Sequence, residues 1–539
     1  MRSRLSRGFL ALAVLAALSG CSRSQGPANS AALPPGAKVL LRGLGDEPDS
    51  LDPQKARSVE AQRVLRDVCE GLTLMDKNAS PAPGTAREWL VSPDGKRYVF
   101  HLRPEARWSN GDRVVAADFV AGLRRLVDPA TASQYAEVVT VISNASDIVA
   151  GKKPPDTLGV TAPDDSTVVI DLASPAPYLT SLLSHPSTCP IHRQSLAQHP
   201  ETFAKPGVMI SNGAFTLTQW MQGSQVFLTR NPNYWNNGSN RLDGVRYFSF
   251  TDVNAELTRY RAGELQITVG VPRGQYEWIQ QNLPGQLHTA AALNTYYYGF
   301  NLRRAPFKDN LPLRRALSLV IDREKLAKLV LGTGELAAYG WIPPGVNGYG
   351  EQSFDYHDRP LADRVAEARE LYAKAGYSLL EPLHFELRYN SGDVHDKLAL
   401  AVASMWKEAL GVDVRLTAVE FKSLLQDIDR GDVDMFRSSW SGDYNDAYTF
   451  AQLFTSDFGI NMPHYHSGEY DSLVHSAAAE TDLQKRRELL QGAERVLLHD
   501  HPIIPLYFYS TNNLVKPEVS GWYRNVMNVV YSKDLSLRQ

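Results

Sequence analysis

Hydrophobic residues recur along this chain with two periods, one typical of strands and the other typical of helices. Alternating apolar positions predict strands over Arg97–Leu102 and Thr167–Leu172. Apolar residues three and four positions apart predict helices over Ala116–Val127, Leu313–Leu331 and Leu398–Leu410. Because the two kinds of segment alternate along the whole chain, the sequence predicts a mixed α/β architecture.

The composition is that of a globular protein with more than one domain. The 539 residues are 43% hydrophobic and 21% charged, and the length is about three to four times that of a typical domain. With 56 Lys and Arg against 59 Asp and Glu, the charge is too balanced for electrostatic capture of nucleic acid, and no nucleic acid partner is expected. Three cysteines are too few for a disulfide scaffold or a four-cysteine zinc site.

The N-terminus has the pattern of a bacterial secretion signal. Three arginines precede an apolar run from Phe9 to Leu18, which is too short to span a bilayer. The small residues before Cys21 resemble a lipobox, in which the cysteine is lipidated and becomes the new N-terminus; the alternative is an ordinary signal peptide with Cys21 as a bystander. We therefore expect a signal peptide over residues 1–20, and a lipidated Cys21 with a flexible Ser/Gly/Pro/Ala-rich tether over residues 21–37.

The other two cysteines are Cys69 and Cys189. Secretion permits a disulfide, but the sequence does not decide whether these two residues pair. Cys69 continues the helical pattern of Val64, Leu65 and Val68, which favours two separately buried thiols.

The search for catalytic and metal-binding motifs gives little. The phosphate-binding loop, the G-x-S-x-G nucleophile elbow and the H-E-x-x-H zinc motif do not occur in the sequence. Two His-x-His pairs, His464 with His466 and His499 with His501, lie beside prolines, and no third ligand follows at a metal-binding spacing. We expect no enzyme activity, no cofactor and no metal site.

Ten short segments together resemble the periplasmic oligopeptide-binding proteins, which are family 5 solute-binding receptors of peptide ABC importers. They follow one another in order from about residue 38 to the end of the chain. The segments are Asp49–Pro53, Phe100–Arg103, Trp108–Gly111, Asn231–Trp235, Ala305–Phe307, Ile321–Arg323, Ala401–Trp406, Leu410–Val412, Trp440–Asn445 and Leu514–Pro517. The resemblance implies an α/β, two-lobed periplasmic-binding-protein-like fold (type II, cluster C) with an extra subdomain inserted in the first lobe.

The resemblance also implies a domain division and a function. The first lobe is expected from residues 38–69, 195–293 and 511–539, the inserted subdomain from 70–194, and the second lobe from 294–510. The implied function is a monomeric receptor on the periplasmic side of the cell envelope, anchored in a membrane by its lipid. It would capture short peptides in a hinged cleft and deliver them to the permease subunits of an ABC transporter.

Three residues match family positions that hold the ends of a peptide. Asp443 matches the aspartate that pairs with the peptide ammonium, although its neighbour Gly442 is also consistent with a turn-forming aspartate. Arg437 and His395 match positions that meet peptide C-termini of differing length. The alternatives are an ion pair within one lobe for Arg437 and a solvated helix end for His395.

Further positions match the lining of the cleft, although its aromatic members could equally belong to the core. They are Arg57, Val59, Tyr135, Tyr297, Phe421, Trp440, Ser441 and Tyr509. The chain also departs from the best-known enteric members. Asn294 and Ser441 stand where those proteins carry a cysteine pair, Arg57 and Gly299 stand where they carry acidic groups, and Leu331 replaces a lysine. The preferred peptide is therefore expected to differ, with Arg57 favouring acidic side chains.

Other functions remain possible for such a sequence. Members of the wider family bind murein peptides, opines, haem or metal chelates with the same fold. An envelope chaperone or hydrolase belongs to another class, and a hydrolase would need an activated nucleophile that no motif supplies.

Overall fold

The computed structural model describes residues 33–538, so the predicted signal peptide, Cys21 and most of the tether lie outside the described residues. Within this range the chain forms eighteen strands. They are β1 (Val39–Gly45), β2 (Thr73–Met75), β3 (Pro81–Pro83), β4 (Ala86–Val91), β5 (Arg97–Leu102), β6 (Val160–Asp164), β7 (Thr167–Asp171), β8 (Phe215–Met221), β9 (Gln225–Arg230), β10 (Gly244–Ser249), β11 (Leu287–Phe300), β12 (Leu336–Ala337), β13 (His384–Asn390), β14 (Asp413–Val419), β15 (Met435–Ser441), β16 (Ile503–Leu514), β17 (Val519–Ser520) and β18 (Ser536–Leu537).

Fifteen α-helices lie between these strands in the described range. They are α1 (Val59–Val68), α2 (Ala116–Val127), α3 (Ala145–Val149), α4 (Leu179–Leu182), α5 (Arg193–Gln198), α6 (Val253–Arg261), α7 (Tyr276–Asn282), α8 (Leu311–Leu319), α9 (Arg323–Lys325), α10 (Leu361–Lys374), α11 (Asp393–Leu410), α12 (Phe421–Arg430), α13 (Tyr448–Ala451), α14 (Gly468–Ala479) and α15 (Leu483–Asp500). None of the helices within residues 33–538 combines the length and the apolarity needed to cross a membrane.

Three large sheets organise the molecule into two lobes. The first lobe contains a four-stranded sheet in the order β1-β10-β9-β8, and the subdomain inserted in it contains an antiparallel sheet in the order β4-β5-β7-β6. The second lobe contains a mixed six-stranded sheet in the order β12-β16-β11-β15-β13-β14. Separate apolar cores lie in the first lobe, in the inserted subdomain and in the second lobe, and each of the two lobes has two such clusters in the described range. The predicted two-lobed α/β fold with an inserted subdomain is confirmed.

Two neighbouring strands carry the chain between the lobes. β11 and β16 pair in antiparallel fashion from Leu287 opposite Leu514, in the first lobe, to Gly299 opposite Ile503, in the second. Their register is interrupted between Ala291 and Thr295, where the longest unpaired stretch lies, and it shifts again between Tyr296 and Tyr297. A break in the ladder removes cross-strand hydrogen bonds, so the strands bend there more easily than elsewhere. This break is therefore the place in the described chain best suited to act as a hinge.

The cysteine expectation was wrong, because Cys69 and Cys189 form a disulfide. Helix α1 ends at Val68, and Cys69 has the extended backbone conformation that caps it (φ −135°, ψ 148°). The apolar pattern thus continues one residue beyond the helix itself. The bond joins the end of α1 in the first lobe to the end of the inserted subdomain, with Cα atoms 6.3 Å apart.

The predicted helix over Leu313–Leu331 is interrupted. Helix α8 ends at Leu319, and α9 and a π-helical turn follow after a break. Arg323 is buried at this break and donates to the carbonyl oxygens of Ser318 (3.1 Å) and Pro505 (2.8 Å). The buried guanidinium needs these acceptors, and a continuous helix would occupy the first of them.

Candidate functional site

Asp443 lies just beyond the end of β15, with its carboxylate accessible to solvent. The surrounding chain partly desolvates this carboxylate, which raises its pKa. A turn-forming aspartate would accept a nearby backbone N–H, as Asp446 accepts that of Tyr448 at 2.8 Å. Within residues 33–538 the Asp443 carboxylate makes neither such a bond nor an ion pair, so it is available to a partner from outside the chain.

The turn that carries this carboxylate is held on both sides. The backbone N–H of Gly442 donates to the carbonyl oxygen of Leu293 (2.8 Å). The buried side chain of Asn445 donates to the carbonyl oxygen of Ala79 in the inserted subdomain (3.0 Å) and accepts the N–H of Asn347 in the second lobe (3.1 Å). The turn therefore lies where the inserted subdomain meets the second lobe.

Arg437 lies on β15 with only 8% of its surface exposed. Its guanidinium donates to Asn390 Oδ1 (3.0 Å) and to the hydroxyl of Tyr509 (3.1 Å), and it stands 4.6 Å from the centre of the Tyr296 ring. Its Nε is buried without a partner. No carboxylate of the described chain lies within 4.0 Å of the guanidinium, so the alternative of an ion pair within the lobe is not found. A buried cation held only by neutral groups is suited to an external anion.

His395, at the start of α11, lies beside Tyr296 and Arg437. Its ring stacks on Tyr296, with Nδ1 3.3 Å from the tyrosine hydroxyl. Desolvation, with the nearby charge of Arg437, lowers the pKa of His395 to about 4. The imidazole is therefore neutral at pH 7, half-buried rather than fully solvated, and offers a hydrogen bond without adding charge.

Tyr297, expected to line the cleft, lies instead in the core. It is 1% exposed and packs against Trp341 and Phe454, with ring centroids 5.2 and 6.1 Å away. Successive residues of a strand face opposite sides of the sheet, so Tyr296 points to the other side, toward the buried arginine. Nothing in the run of tyrosines on β11 indicated which of them faces the cluster.

The remaining second-lobe positions differ in exposure. Trp440 is half-buried and donates its indole N–H to the carbonyl oxygen of Thr449 (2.8 Å), whereas Phe421 is 52% exposed at the start of α12. Ser441 pairs directly with Asn294 across β15 and β11, and the asparagine amide donates to the serine hydroxyl at 2.7 Å. A hydrogen bond thus joins the two positions where the enteric members are expected to carry cysteines.

The first lobe and its inserted subdomain bring together the other predicted positions. The hydroxyl of Tyr135 accepts a hydrogen bond from Gln62 of α1 (2.8 Å) and donates to the carbonyl oxygen of Arg57 (3.3 Å). The ring of Tyr135 packs against His185, at 4.5 Å between centroids. Val59 is exposed at the start of the same helix. Tyr135 therefore connects the inserted subdomain to the N-terminal end of α1.

Arg57 itself has an anionic neighbour within its own lobe. Its Nε lies 3.4 Å from a carboxylate oxygen of Asp49, and its side chain is largely exposed. Asp49 also accepts the backbone N–H groups of Arg57 and Ser58. The charge of Arg57 is therefore partly offset before any ligand arrives.

The two His-x-His pairs do not form part of a metal cluster. Across residues 33–538, no group of three or more His, Cys, Asp or Glu side chains is arranged to hold a metal ion. His501 is buried in the second lobe, where its Nδ1 lies 2.9 Å from the carbonyl oxygen of His499 and its ring stacks on Phe354.

The family is shown by a direct match. The family model described as "Bacterial extracellular solute-binding proteins, family 5 Middle" matches residues 80–462. The chain belongs to this family. It is a solute-binding receptor and not an enzyme, and the predicted resemblance is confirmed.

Its relatives extend over almost the whole chain. It is 38% identical over 536 residues to the "Probable deoxycholate-binding periplasmic protein YgiS" of Escherichia coli, covering 99% of each chain. It is 36% identical over 544 residues to the periplasmic oligopeptide-binding protein OppA of Salmonella typhimurium, again covering 99% of each. The periplasmic murein peptide-binding protein MppA of Escherichia coli is 36% identical over 499 residues, with 92% of each chain covered.

Similarity to solved structures indicates the arrangement of the two lobes. The unliganded open form of MppA gives a TM-score of 0.88, with 36% identity and coverage of 93% of this chain and 99% of the other. The complex of Haemophilus influenzae OppA with the peptide RPPGFSPFR gives 0.71 at the same identity and coverage. Since identity and coverage are equal, the scores indicate that the lobe arrangement of this chain is more similar to that of open MppA than to that of peptide-bound OppA.

Proposed function

We propose that this receptor captures short peptides in the cleft between its lobes and delivers them to an ABC importer. The observation that carries the proposal is a pair of unmatched charges, one on β15 and the other just beyond its end. The Asp443 carboxylate and the Arg437 guanidinium have no oppositely charged partner in the described chain. A peptide with free termini carries the two complementary charges, an ammonium and a carboxylate.

The spacing of the two charges suits an extended ligand. Asp443 lies six positions after Arg437, so their Cα atoms are at most about 20 Å apart. An extended peptide advances about 3.3–3.6 Å per residue, so a few residues span that distance. Backbone groups held as in an added strand would serve peptides of varied sequence, with their side chains in separate pockets.

The names of two relatives suggest other ligands, and Asp443 separates the possibilities. Deoxycholate, named in YgiS, is a steroid carboxylate without a cationic group, so it would leave this aspartate without a partner as the cleft closes. A murein peptide, named in MppA, does carry an ammonium and remains compatible with both charges. Asp443 therefore supports a peptide over a bile acid but does not distinguish among peptides.

Localisation and partners form part of the same proposal. The basic leader, the apolar run and the lipobox ending at Cys21 support export and a lipid anchor on the periplasmic side of the envelope. Relatives with periplasmic names over the full length support the compartment. The cleft residues Arg57, Val59, Tyr135, Phe421, Trp440, Ser441 and Tyr509, with His395, remain proposed ligand contacts.

Calorimetry on the purified receptor tests the ligand class. Trialanine with free termini should bind, whereas N-acetyl-trialanine, without the ammonium, should bind far more weakly. Native mass spectrometry of the protein as isolated should show co-purified peptides. If deoxycholate binds tightly and neither free peptide nor any co-purified peptide is found, the peptide proposal is wrong.

A further inference from the structure

Arg66 lies on the same face of α1 as two residues already placed near the cleft. Positions three, four and seven residues apart share a helix face, which groups Arg66 with Val59 and Gln62. Val59 is exposed at the start of the helix, and Gln62 donates to the hydroxyl of Tyr135. Arg66 therefore lies on the face of α1 that contacts Tyr135, one turn further along the helix than Gln62.

The two acidic residues that follow Arg66 most closely in the sequence, Asp67 and Glu70, bind other groups. Glu70 accepts the hydroxyl of Tyr234 (2.5 Å) and the indole N–H of Trp235 (2.7 Å). Asp67 accepts hydrogen bonds from the hydroxyl of Tyr247 (2.7 Å) and from the backbone N–H of Ser532 (3.0 Å). No oxygen acceptor for the guanidinium of Arg66 is found elsewhere in the described chain, and its Nε is buried without a partner.

Arg63, one turn earlier on the same helix, shows the usual alternative. Its guanidinium lies 3.6 Å from the carboxylate of Glu60 and donates to the carbonyl oxygen of Leu44 at 2.7 Å. Within the described residues Arg66 has no such ion pair, and it borders two small cavities of about 20 and 30 Å³, the second of which Arg63 also lines. Burying a cation without an anionic partner costs free energy, because the charge loses its contact with water. Binding of an anion offsets that cost.

Arg66 in the first lobe and Arg437 in the second thus each carry a guanidinium that has no acidic partner in the described chain. We infer that the preferred ligand is an acidic peptide, whose side-chain carboxylate binds Arg66 while its C-terminal carboxylate binds Arg437. This inference rests on the proposed peptide-binding function and narrows its substrate class. One peptide can place a carboxylate on Arg66 and another on Arg437 only when the two lobes are close together. The acidic side chain of the ligand therefore favours the closed state. Arg57 contributes less to this preference, because Asp49 already offsets its charge.

Isosteric peptides provide the test. Tripeptides of alanine with Glu or Gln at the first, second or third position differ at one place only by a carboxylate. We expect the wild-type receptor to bind the Glu peptide at least about tenfold more tightly than its Gln counterpart at one of the three positions, as measured by calorimetry. Arg66→Gln should remove that difference and leave the affinity for the Gln peptide within a fewfold of wild type.

Two further variants serve as controls. Arg63→Gln removes a positive charge from the same helix, and we expect it to keep the full Glu preference because Glu60 already offsets that charge. Arg66→Lys keeps the charge without the planar fork and should retain part of the preference. If Arg66→Gln fails to fold, as judged by circular dichroism, the wild-type comparison and Arg66→Lys still decide the question.

The outcomes separate this inference from the function beneath it. Equal affinity for Glu and Gln peptides at every position overturns the acidic-peptide inference and leaves the peptide receptor standing. A Glu preference that persists undiminished in Arg66→Gln overturns the assignment to Arg66. Failure of every peptide to bind removes the proposed function, and the inference with it.

Discussion

Tyr178 of the inserted subdomain stacks on Tyr444 of the second lobe, with ring centroids 4.7 Å apart and ring planes inclined by 11°. Tyr448 also stacks on the ring of Tyr178, with centroids 5.3 Å apart. Tyr444 directly follows Asp443 in the chain, so the stack supports the segment that carries the unpartnered carboxylate. The contact therefore links the geometry of the proposed ammonium site to the position of the inserted subdomain.

Replacement of Tyr178 tests this link. Tyr178→Ala should lower the free energy of unfolding by about 0.5–1.5 kcal/mol beyond the loss of its buried area, because aromatic pairs contribute that much. It should also weaken peptide binding, since the Asp443 segment loses support. Tyr178→Phe keeps the stacked ring and should resemble the wild type. Urea unfolding and calorimetry measure the two effects, and a wild-type result for the alanine variant would disprove the link.

Asp443 should control binding through its charge. Asp443→Asn keeps the size of the side chain, so we expect an intact fold with affinity for free peptides reduced by about 3–5 kcal/mol, because the ligand ammonium would be buried unpaired. N-acetylated peptides should be almost unaffected by the change. Calorimetry on both peptide forms checks this, and an equal loss for the two would contradict a specific pairing with the ammonium.

The pH dependence of binding should reflect the same group. Desolvation raises the pKa of Asp443 in the free receptor, and only the ionised carboxylate attracts an ammonium. Affinity should therefore fall as the pH decreases through this raised pKa, beginning at a higher pH than for an ordinary aspartate. The dependence should be absent from Asp443→Asn when affinity is measured from pH 7 down to pH 4. The same pH dependence in wild type and variant would assign it to another group.

The spacing of apolar residues predicted those helices and strands in which one buried face repeats clearly over a short stretch of sequence. The strand Arg97–Leu102 and the helix Ala116–Val127 have the bounds predicted for them, because one apolar face decides each. The Cys69–Cys189 bond joins residues 120 positions apart, and no local pattern carries that information. Tyr297 was misplaced for a related reason, since consecutive tyrosines on a strand do not alternate with polar residues and so do not reveal which face is which.

Removal of the disulfide should loosen the attachment of the inserted subdomain. A cross-link that closes so long a loop restricts the unfolded chain, and loss of such bonds commonly costs about 2–5 kcal/mol. The double variant Cys69→Ser with Cys189→Ser should therefore melt at a lower temperature than the wild type. Melting of the wild type in a reducing agent provides the control. A crosslinked Cys69–Cys189 fragment should be found in a non-reduced digest, and its absence would remove the basis of the prediction.

His501 should make the stability of the receptor depend on pH. Desolvation, opposed only partly by its bond to the His499 carbonyl oxygen, lowers the pKa of His501 from 6.5 to about 3. Below pH 6.5 the unfolded chain binds a proton at this imidazole that the folded protein does not, so this contribution to stability is present above pH 6.5 and is lost as the pH falls toward 3. The loss has a limiting slope of about 1.4 kcal/mol per pH unit.

A variant isolates this contribution. His501 has a left-handed backbone conformation (φ 49°), which asparagine tolerates well, so His501→Asn removes the imidazole without adding backbone strain. The difference in unfolding free energy between wild type and variant should shrink as the pH falls from 7 to 4, as measured by urea unfolding at each pH. A difference that stays constant over this range would show that the imidazole does not titrate on unfolding.

Peptide binding should close the two lobes. The register break in β11 and β16 provides a place to bend. Tyr135 and Arg437, both proposed as ligand contacts, belong to different lobes. A ligand favours the closed state only through contacts that this state adds, so a peptide anchored at Asp443 must also touch the first lobe to drive closure. We expect the radius of gyration from small-angle scattering to fall when trialanine is added, and the melting temperature to rise with its concentration. Asp443→Asn at the same peptide concentration should keep the radius of the free receptor. Tight binding of trialanine to the wild type with no change of radius would mean that the receptor binds without closing, and the hinge at the break would have no role in capture.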